Sequence, residues 1–431
     1  MKDEDGKITK FYLVFWKLYR IDNHRKKRYK GGRLRIFSVE NVNLPVHPHG
    51  RKEVTYMAYQ YWTYDTLHRL CMDAFQKFGF TEREADIIQD VLLTSDLFGI
   101  ESHGMQRMVR YHKCIEKGMI KIDAKPTVVF ETPISAVVDA HDAMGQLVSY
   151  YAMELAIEKA KKSGVGIVSV RNSNHYGIAG YYAKMACKEG LMGFSCTNSE
   201  AIMVPTNGRK AMLGSNPIAC AFPAEPYDFF FDASTTVVTR GKLEMYNKME
   251  KPLPEGWALD KDGHPSTDAP DVLANIVAKN GGGIMPLGGS TEQLGSHKGY
   301  GYGMLCEIFS SILSMGSTSN YCMTGGKGNI CHGFMAINPA YFGDPEAIKA
   351  HFSTYLQELR ESPKADGATQ IYTHGEKEIA AIADRKANGI PVNDNTMVEV
   401  LDLCNYLGLD FASYFGDYRP PVKEDVFKGN Y

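Results

Sequence analysis

The chain has 431 residues, 44% of them hydrophobic and 23% charged, with a formal net charge of −2. That length can bury a large core in more than one structural unit, and no apolar run approaches the ~20 residues that a membrane-crossing helix needs. Nine cysteines, an odd number with no Cys-x-x-Cys pair, argue against a disulfide framework and a zinc site and for a reducing compartment, read as the cytoplasm.

Charge is divided unevenly. Residues 1–56 carry fourteen Lys/Arg and six Asp/Glu, a balance of +8, and the remainder carries −10. The run His24-Arg-Lys-Lys-Arg-Tyr-Lys30 is basic enough to attract nucleic acid or an anionic membrane. It is short and lies in a segment without periodicity, so neither partner is expected. Phe11–Trp16 is too short for a signal-peptide core, and Asp3, Glu4 and Asp5 do not suit a transit peptide. The first 56 residues read as a disordered basic extension or a mis-assigned upstream start before Met57.

From Tyr64 the pattern predicts two helices separated by Gly79, the second opening on the capping box Thr81-Glu-Arg-Glu84. The cluster Glu101-Ser-His103-Gly-Met-Gln-Arg107-Met-Val-Arg-Tyr111 follows. As a helix it would stack His103, Arg107 and Tyr111 along one face, an arrangement suited to an oxyacid. Arginine grips a carboxylate through paired hydrogen bonds, and the other two groups serve a hydroxyl or its proton. Strands are predicted at 127–130 and 136–139, then a long helix that begins near Met144, carries Val148, Tyr151, Ala152 and Leu155 on one stripe and has Gly164 beyond its end.

The apolar run Val165–Val170 leads into Arg171-Asn-Ser-Asn-His175-Tyr-Gly-Ile-Ala-Gly180. A histidine at a strand-to-helix turn is placed to exchange protons near neutral pH. Further strands are expected at 193–197, 219–222 and 229–232, with a long loop over 250–292. A helix from Gly299 to about Met315 would bury Leu305, Ile308, Phe309 and Ile312. A strand at 333–337 and helices at 345–361 and 396–406 complete the pattern. Helices and strands intermix throughout, which makes the class α/β or mixed α+β, with a mainly helical N-terminal piece.

No window satisfies the G-x-G-x-x-G fingerprint of a dinucleotide-binding Rossmann unit, and no P-loop is present. A nucleotide would have to use other loops. Leu213-Gly-Ser-Asn-Pro217 offers backbone donors, Asp232-Ala-Ser-Thr-Thr236 ends a strand, and Lys298 stands at a helix start where a phosphate is favoured.

Taken in order, Ser102-His103-Gly104 with Arg107 and Tyr111, Asn174-His175-Tyr-Gly, Gly214-Ser-Asn-Pro217, Asp232-Ala-Ser-Thr-Thr236 with Gly241-Lys242, and His297-Lys298-Gly-Tyr-Gly resemble the type-2 malate/L-lactate dehydrogenase family over about residues 60–420. The resemblance implies a non-Rossmann fold like that of L-sulfolactate dehydrogenase, a mixed sheet flanked by helices. It implies a homodimer and reversible hydride transfer between C2 of a 2-hydroxyacid and the nicotinamide of NAD, with NADP as the alternative. Malate/oxaloacetate is the first substrate pair; lactate, ureidoglycolate or another 2-hydroxyacid are alternatives, as is a catalytically idle dimeric binding protein.

By the same resemblance His175 is the proton carrier, with His103 as its rival and Ser102 in the same pocket. Arg107 and Tyr111 hold the substrate carboxylate. Ser199, Asp232, Ala233, Ser234, Lys298, His374, Gly375 and Glu376 contact the dinucleotide, and no metal is implied. Residues 57–125 would form a helical substrate and dimerisation part, 126–310 the dinucleotide-binding part, and 311–431 a return to the helical region.

Overall fold

In the computed structural model residues 59–421 are described, and the basic extension at 1–56 lies outside them. Strand β1 (Tyr59–Trp62) leads into helices α1 (Tyr64–Phe78) and α2 (Glu82–Leu97). Thr63 and Thr81 cap these helices, each hydroxyl accepting the N–H three residues on. Glu84 completes the box by accepting the Thr81 N–H at 3.0 Å. Next come two 3-10 turns, Glu101–His103 and Met105–Arg107, and then α3 (Met108–Glu116). The continuous helix expected through His103, Arg107 and Tyr111 is therefore not formed. Gly104, extended at φ −83° and ψ −152°, interrupts it.

The centre is built from β2 (Thr127–Glu131), β3 (Ser135–Asp139), α4 (Gly145–Ser163), β4 (Val165–Ser173), α5 (Ala179–Lys188), β5 (Met192–Thr197), β6 (Ile218–Phe222) and β7 (Phe229–Ala233). After α6 (Arg240–Lys248), the stretch expected to be a loop contains β8 (Ala258–Leu259), β9 (Pro265–Ser266), α7 (Ala269–Ala278) and β10 (Gly283–Ile284). Two-residue strands leave no periodicity to read. Helix α7, though, carries its signal in the Asp268 cap, Pro270 in the first turn, and Val272 and Ile276 on one face.

Helix α8 (Ser296–Glu307) passes into a π-helical turn at Ile308–Ile312. The expected buried face is overturned. Small and polar residues, among them Ser296, Gly299, Gly303, Cys306, Glu307, Ser310 and Ser311, face the interior, while Leu305, Ile308 and Ile312 are 40–51% exposed. The inward side instead meets a polar node in which Glu307 accepts from Asn216 at 2.9 Å and from Ser311 at 2.8 Å. The chain ends with β11 (Ile330–Ile337), α9 (Pro345–Glu361), α10 (Glu376–Asn388), β12 (Ile390–Asn393), α11 (Asp394–Leu407) and α12 (Phe411–Phe415).

The main sheet has the order β2-β3-β4-β11-β5-β6-β7, antiparallel except for the parallel pair β3/β4 that α4 connects. Val148, Ala152 and Ala156 of α4, spaced four apart, pack with Tyr182 and Ala186 of α5 against Val168, Val170, Phe334 and Ala336. A second core joins Leu67, Leu70 and Phe75 of α1 and Ile88 and Leu92 of α2 to Ile390, Val392 and Met397 near the other end of the chain, where β1 pairs with β12. Tyr111 belongs to this helical core and Tyr176 to the sheet core.

Candidate active site

His175 stands where β4 gives way to α5. The turn is pinned by Asn174, whose amide donates to the carbonyls of Met119, Asp142 and Ala143 at 3.0–3.1 Å. His175 Nδ1 meets the Tyr111 hydroxyl at 2.8 Å, and the Gly177 N–H donates to the same nitrogen at 3.3 Å. The imidazole of His103 faces that of His175, with ring centroids 5.5 Å apart and planes 27° apart. Ser102 Oγ lies 2.9 Å from His103 Nδ1, and Arg107 Nε donates to the Ser102 carbonyl at 2.5 Å. Five residues named from sequence are thus gathered, on two 3-10 turns, a helix and a strand end. Tyr111 is buried with its hydroxyl committed to His175.

What holds the Ser102–Arg107 segment is a set of groups that the sequence reading missed. Asp96, buried near the end of α2, accepts the Met105 N–H at 2.8 Å. A side chain on Gly104 would overlap the Asp96 carboxylate, so only glycine lets this turn close onto it. Ser95 Oγ donates to the Ile100 carbonyl at 2.8 Å. Arg385 of α10 donates to the Asp96 carbonyl and, at 2.9 Å, to Glu101. Asp96 and Met105 are nine residues apart and Asp96 and Arg385 are 289 apart, so no local pattern announces these pairs.

Electrostatics keep both rings neutral. Burial first, then the Arg107 and Arg110 guanidiniums, push His103 down to about 3. Burial and then Arg110, His103 and Arg107 hold His175 well below its ordinary value. Tyr111 is pushed up to about 12 by burial, so its phenol keeps its proton. Burial also raises Asp96 to about 7, against the Met105 N–H and the Arg385 charge. A third histidine lies deeper. His332 on β11 is wholly buried, bonded to Thr197 at 2.8 Å and Ser173 at 3.0 Å, and stacked on Tyr176 at 4.4 Å.

The remaining sequence candidates form a second group. Asp232 on β7 accepts the Gly180 N–H at 2.7 Å, at the start of the helix that follows His175. Ala233 ends the strand, and Ser234 donates to the Thr236 carbonyl at 3.3 Å. The turn Thr373–Glu376 runs beside this strand: Phe230 N–H donates to the His374 carbonyl at 3.2 Å, and the His374 ring packs on Phe229 and Phe231. Glu376 accepts from the Thr373 N–H at 2.9 Å and hydroxyl at 2.6 Å. A cavity of about 340 Å³ borders Gly375, with Phe98, Lys184, Phe230 and Ile379 in its lining. Ser199 accepts the Ser215 N–H at 3.1 Å, and Thr235 Oγ1 donates to the carbonyls of Ser215 and Asn216. These bonds tie the 199, 214–217 and 232–236 loops together. Lys298 extends, exposed, from the first turn of α8.

The chain is similar in sequence and in fold to named dehydrogenases. A family model described as malate/L-lactate dehydrogenase matches residues 62–401. Malate dehydrogenase from Pyrococcus horikoshii is 42% identical over 348 residues, covering 80% of this chain and 95% of that protein. The crystal structure of malate dehydrogenase from Entamoeba histolytica matches with a TM-score of 0.79 at 35% identity, covering 82% of this chain and 99% of that one. Sulfolactate dehydrogenase from Methanocaldococcus jannaschii matches with a TM-score of 0.75 at 35% identity, covering 83% and 100%. The non-Rossmann mixed-sheet architecture expected from the sequence is borne out by these neighbours. With the ordered motifs, the sheet and the family match in agreement, the chain belongs to the malate/L-lactate dehydrogenase family.

Proposed function

We propose that this protein is an NAD(P)-dependent 2-hydroxyacid dehydrogenase that interconverts malate and oxaloacetate in the cytoplasm, as a homodimer. One observation carries the assignment: two imidazoles from distant segments face each other at 5.5 Å, with an arginine on the turn that follows the one bearing His103. Malate dehydrogenases among the similar proteins support the substrate choice.

The second group of residues fits a dinucleotide by its donor set. Asp232 offers a carboxylate to ribose hydroxyls, Lys298 a cation at a helix start to phosphates, and Ser199, Ser234 and the 373–376 turn neutral hydrogen-bonding groups. Burial raises the Asp232 carboxyl to about 7, and in its ionised form it repels a ribose 2′-phosphate, which supports NAD before NADP. The bound nicotinamide supplies or receives the hydride. Residues 126–310 with the 373–376 turn accordingly hold the dinucleotide, and 59–125 with the rest of the C-terminal part shape the substrate side.

Arg107 grips the substrate carboxylate through paired N–H donors. That carboxylate cancels part of the positive charge that keeps His175 neutral, so the ring gains basicity when substrate is present. His175 then takes the C2 hydroxyl proton during oxidation and returns it during reduction. Ser102 and His103 close the pocket. The exposed apolar stripe Leu305, Ile308 and Ile312 supports contact with a second copy; sedimentation at twice the chain mass checks it.

The deciding experiment sets oxaloacetate, pyruvate and bulkier 2-oxoacids against NADH and NADPH, following loss of the reduced-nicotinamide absorbance. Oxaloacetate with NADH should give the highest kcat/KM. A higher kcat/KM for another oxoacid replaces the substrate assignment. No turnover with any pair returns the chain to an idle binding protein.

A further inference from the structure

The turn Thr373–Glu376, which leads into α10, folds back on its own acidic end. Glu376 Oε1 accepts from the Thr373 N–H at 2.9 Å and from its hydroxyl at 2.6 Å, and Oε2 accepts from the Gln370 amide at 3.3 Å. The Glu376 side chain is only 8% exposed, and a carboxylate withdrawn from water needs a cation or donors to offset its lost hydration. The cation is Arg360, near the end of α9. Its Nη1 donates to the Thr373 hydroxyl at 3.1 Å and lies 3.8 Å from Glu376 Oε1. The Thr373 hydroxyl thus stands between them, accepting from Arg360 and donating to Glu376. The guanidinium also lies 5.5 Å from the centre of the Tyr227 ring, just before β7, within cation–π range. The same turn meets β7 itself. Phe230 N–H donates to the His374 carbonyl at 3.2 Å, and a Cβ on Gly375, at φ +107°, would come within 3.1 Å of the Asp228 carbonyl oxygen. Among the described residues the N–H groups of His374 and Gly375 have no backbone acceptor.

We propose that Arg360 is a positioning residue for the dinucleotide, fixing the 373–376 turn through Thr373 and Glu376 without touching the cofactor itself. The inference rests on the reading that this turn holds the dinucleotide. A short turn with a glycine at positive φ has little stiffness of its own. Two anchors define it: the Phe230–His374 bond from the strand and the Arg360–Thr373–Glu376 chain of bonds from α9. Loss of the second leaves a withdrawn carboxylate without its cation, and the carboxylate swings toward water. The His374 and Gly375 backbone, covalently joined to Glu376, moves with it. Binding must then re-order the turn, which weakens the dinucleotide complex and leaves proton transfer at His175 as it was.

The test uses the full chain with NADH, reading Kd from reduced-nicotinamide fluorescence and kcat and KM from oxaloacetate reduction. Arg360→Met keeps much of the aliphatic stem and removes the donors. It should raise Kd and KM for NADH about 10-fold, the scale of a lost hydrogen bond to a charged group. Its kcat and its KM for oxaloacetate should stay within about 2-fold, because only cofactor binding is affected. Arg360→Lys keeps the charge and a donor and should recover part of the loss. Thr373→Val should weaken NADH binding to a similar degree, and the double variant with Arg360→Met should bind little worse than either alone, since both break one chain of bonds. Wild-type NADH affinity in Arg360→Met overturns the proposal. So do additive losses in the double variant, or kcat and both KM values worsening together as the thermal midpoint falls. Should Arg360→Met not fold, Thr373→Val makes the same prediction, and unchanged affinity there is equally fatal. Amide exchange over residues 370–380 separates this inference from the reading beneath it. Protection on adding NADH to the wild-type chain with Kd unmoved in Arg360→Met removes only the role of Arg360. No protection there, while NADH binds, removes the turn from the dinucleotide site and the inference with it.

Discussion

Among single residues, His175 and Arg107 separate proton transfer from binding. His175 touches Tyr111 and Gly177 through Nδ1 only, so asparagine in its place fills much of the same space while removing the proton site. His175→Asn should lower kcat by roughly 10²–10⁴ with the thermal midpoint nearly unchanged, the usual worth of a general acid–base group. Parallel losses of midpoint and turnover would mark a structural histidine. Arg107 acts differently, because a gripped carboxylate is held in the ground state as well as at the barrier. Arg107→Ala should raise KM for oxaloacetate and pyruvate alike by roughly 10-fold or more, the scale of a hydrogen bond to a charged group. An unchanged KM removes it from the carboxylate site.

For the elements, what could be read from sequence was local. Thr81 and Glu84 are three residues apart, so their mutual capping shows in the chain itself, and the strand–turn–helix around His175 is equally contiguous. The face of α8 was misassigned because a stripe of Leu305, Ile308 and Ile312 has the same spacing whether it meets the core or an outer surface. Asp96 was invisible for another reason: its task depends on a turn folding back across Gly104. That task has a stability cost with a definite sign. Its carboxyl titrates near 7 folded and near 3.9 unfolded, so ionisation opposes folding, and stability falls as pH rises from about 4 to about 7. Asp96→Asn keeps an acceptor for the Met105 N–H and removes the ionisation. The variant should melt higher than wild type at pH 8, on the order of a few kcal/mol more stable, and the difference should shrink toward pH 4. A lower midpoint at pH 8 would show that the charge itself, through Arg385, secures the turn.

At the scale of the molecule, the candidate site lies where two cores meet: Tyr111 comes from the helical core and the His175 turn from the sheet core. Both cores, every candidate residue and the family match fall within residues 59–421. The +8 balance of residues 1–56 is therefore the one strong feature of the chain that the proposed chemistry does not use. Attraction between such a segment and a polyanion is governed by charge and screened by salt, whereas hydride transfer in a partly buried pocket is not. A chain of residues 57–431 should accordingly keep the full-length kcat and KM for oxaloacetate and its thermal midpoint. Any retention of the full-length protein on heparin or single-stranded DNA at low salt should disappear with the deletion. If the shortened chain instead lost turnover while melting normally, residues 1–56 would have to contribute to the site, and the catalytic unit would be larger than the two cores described here.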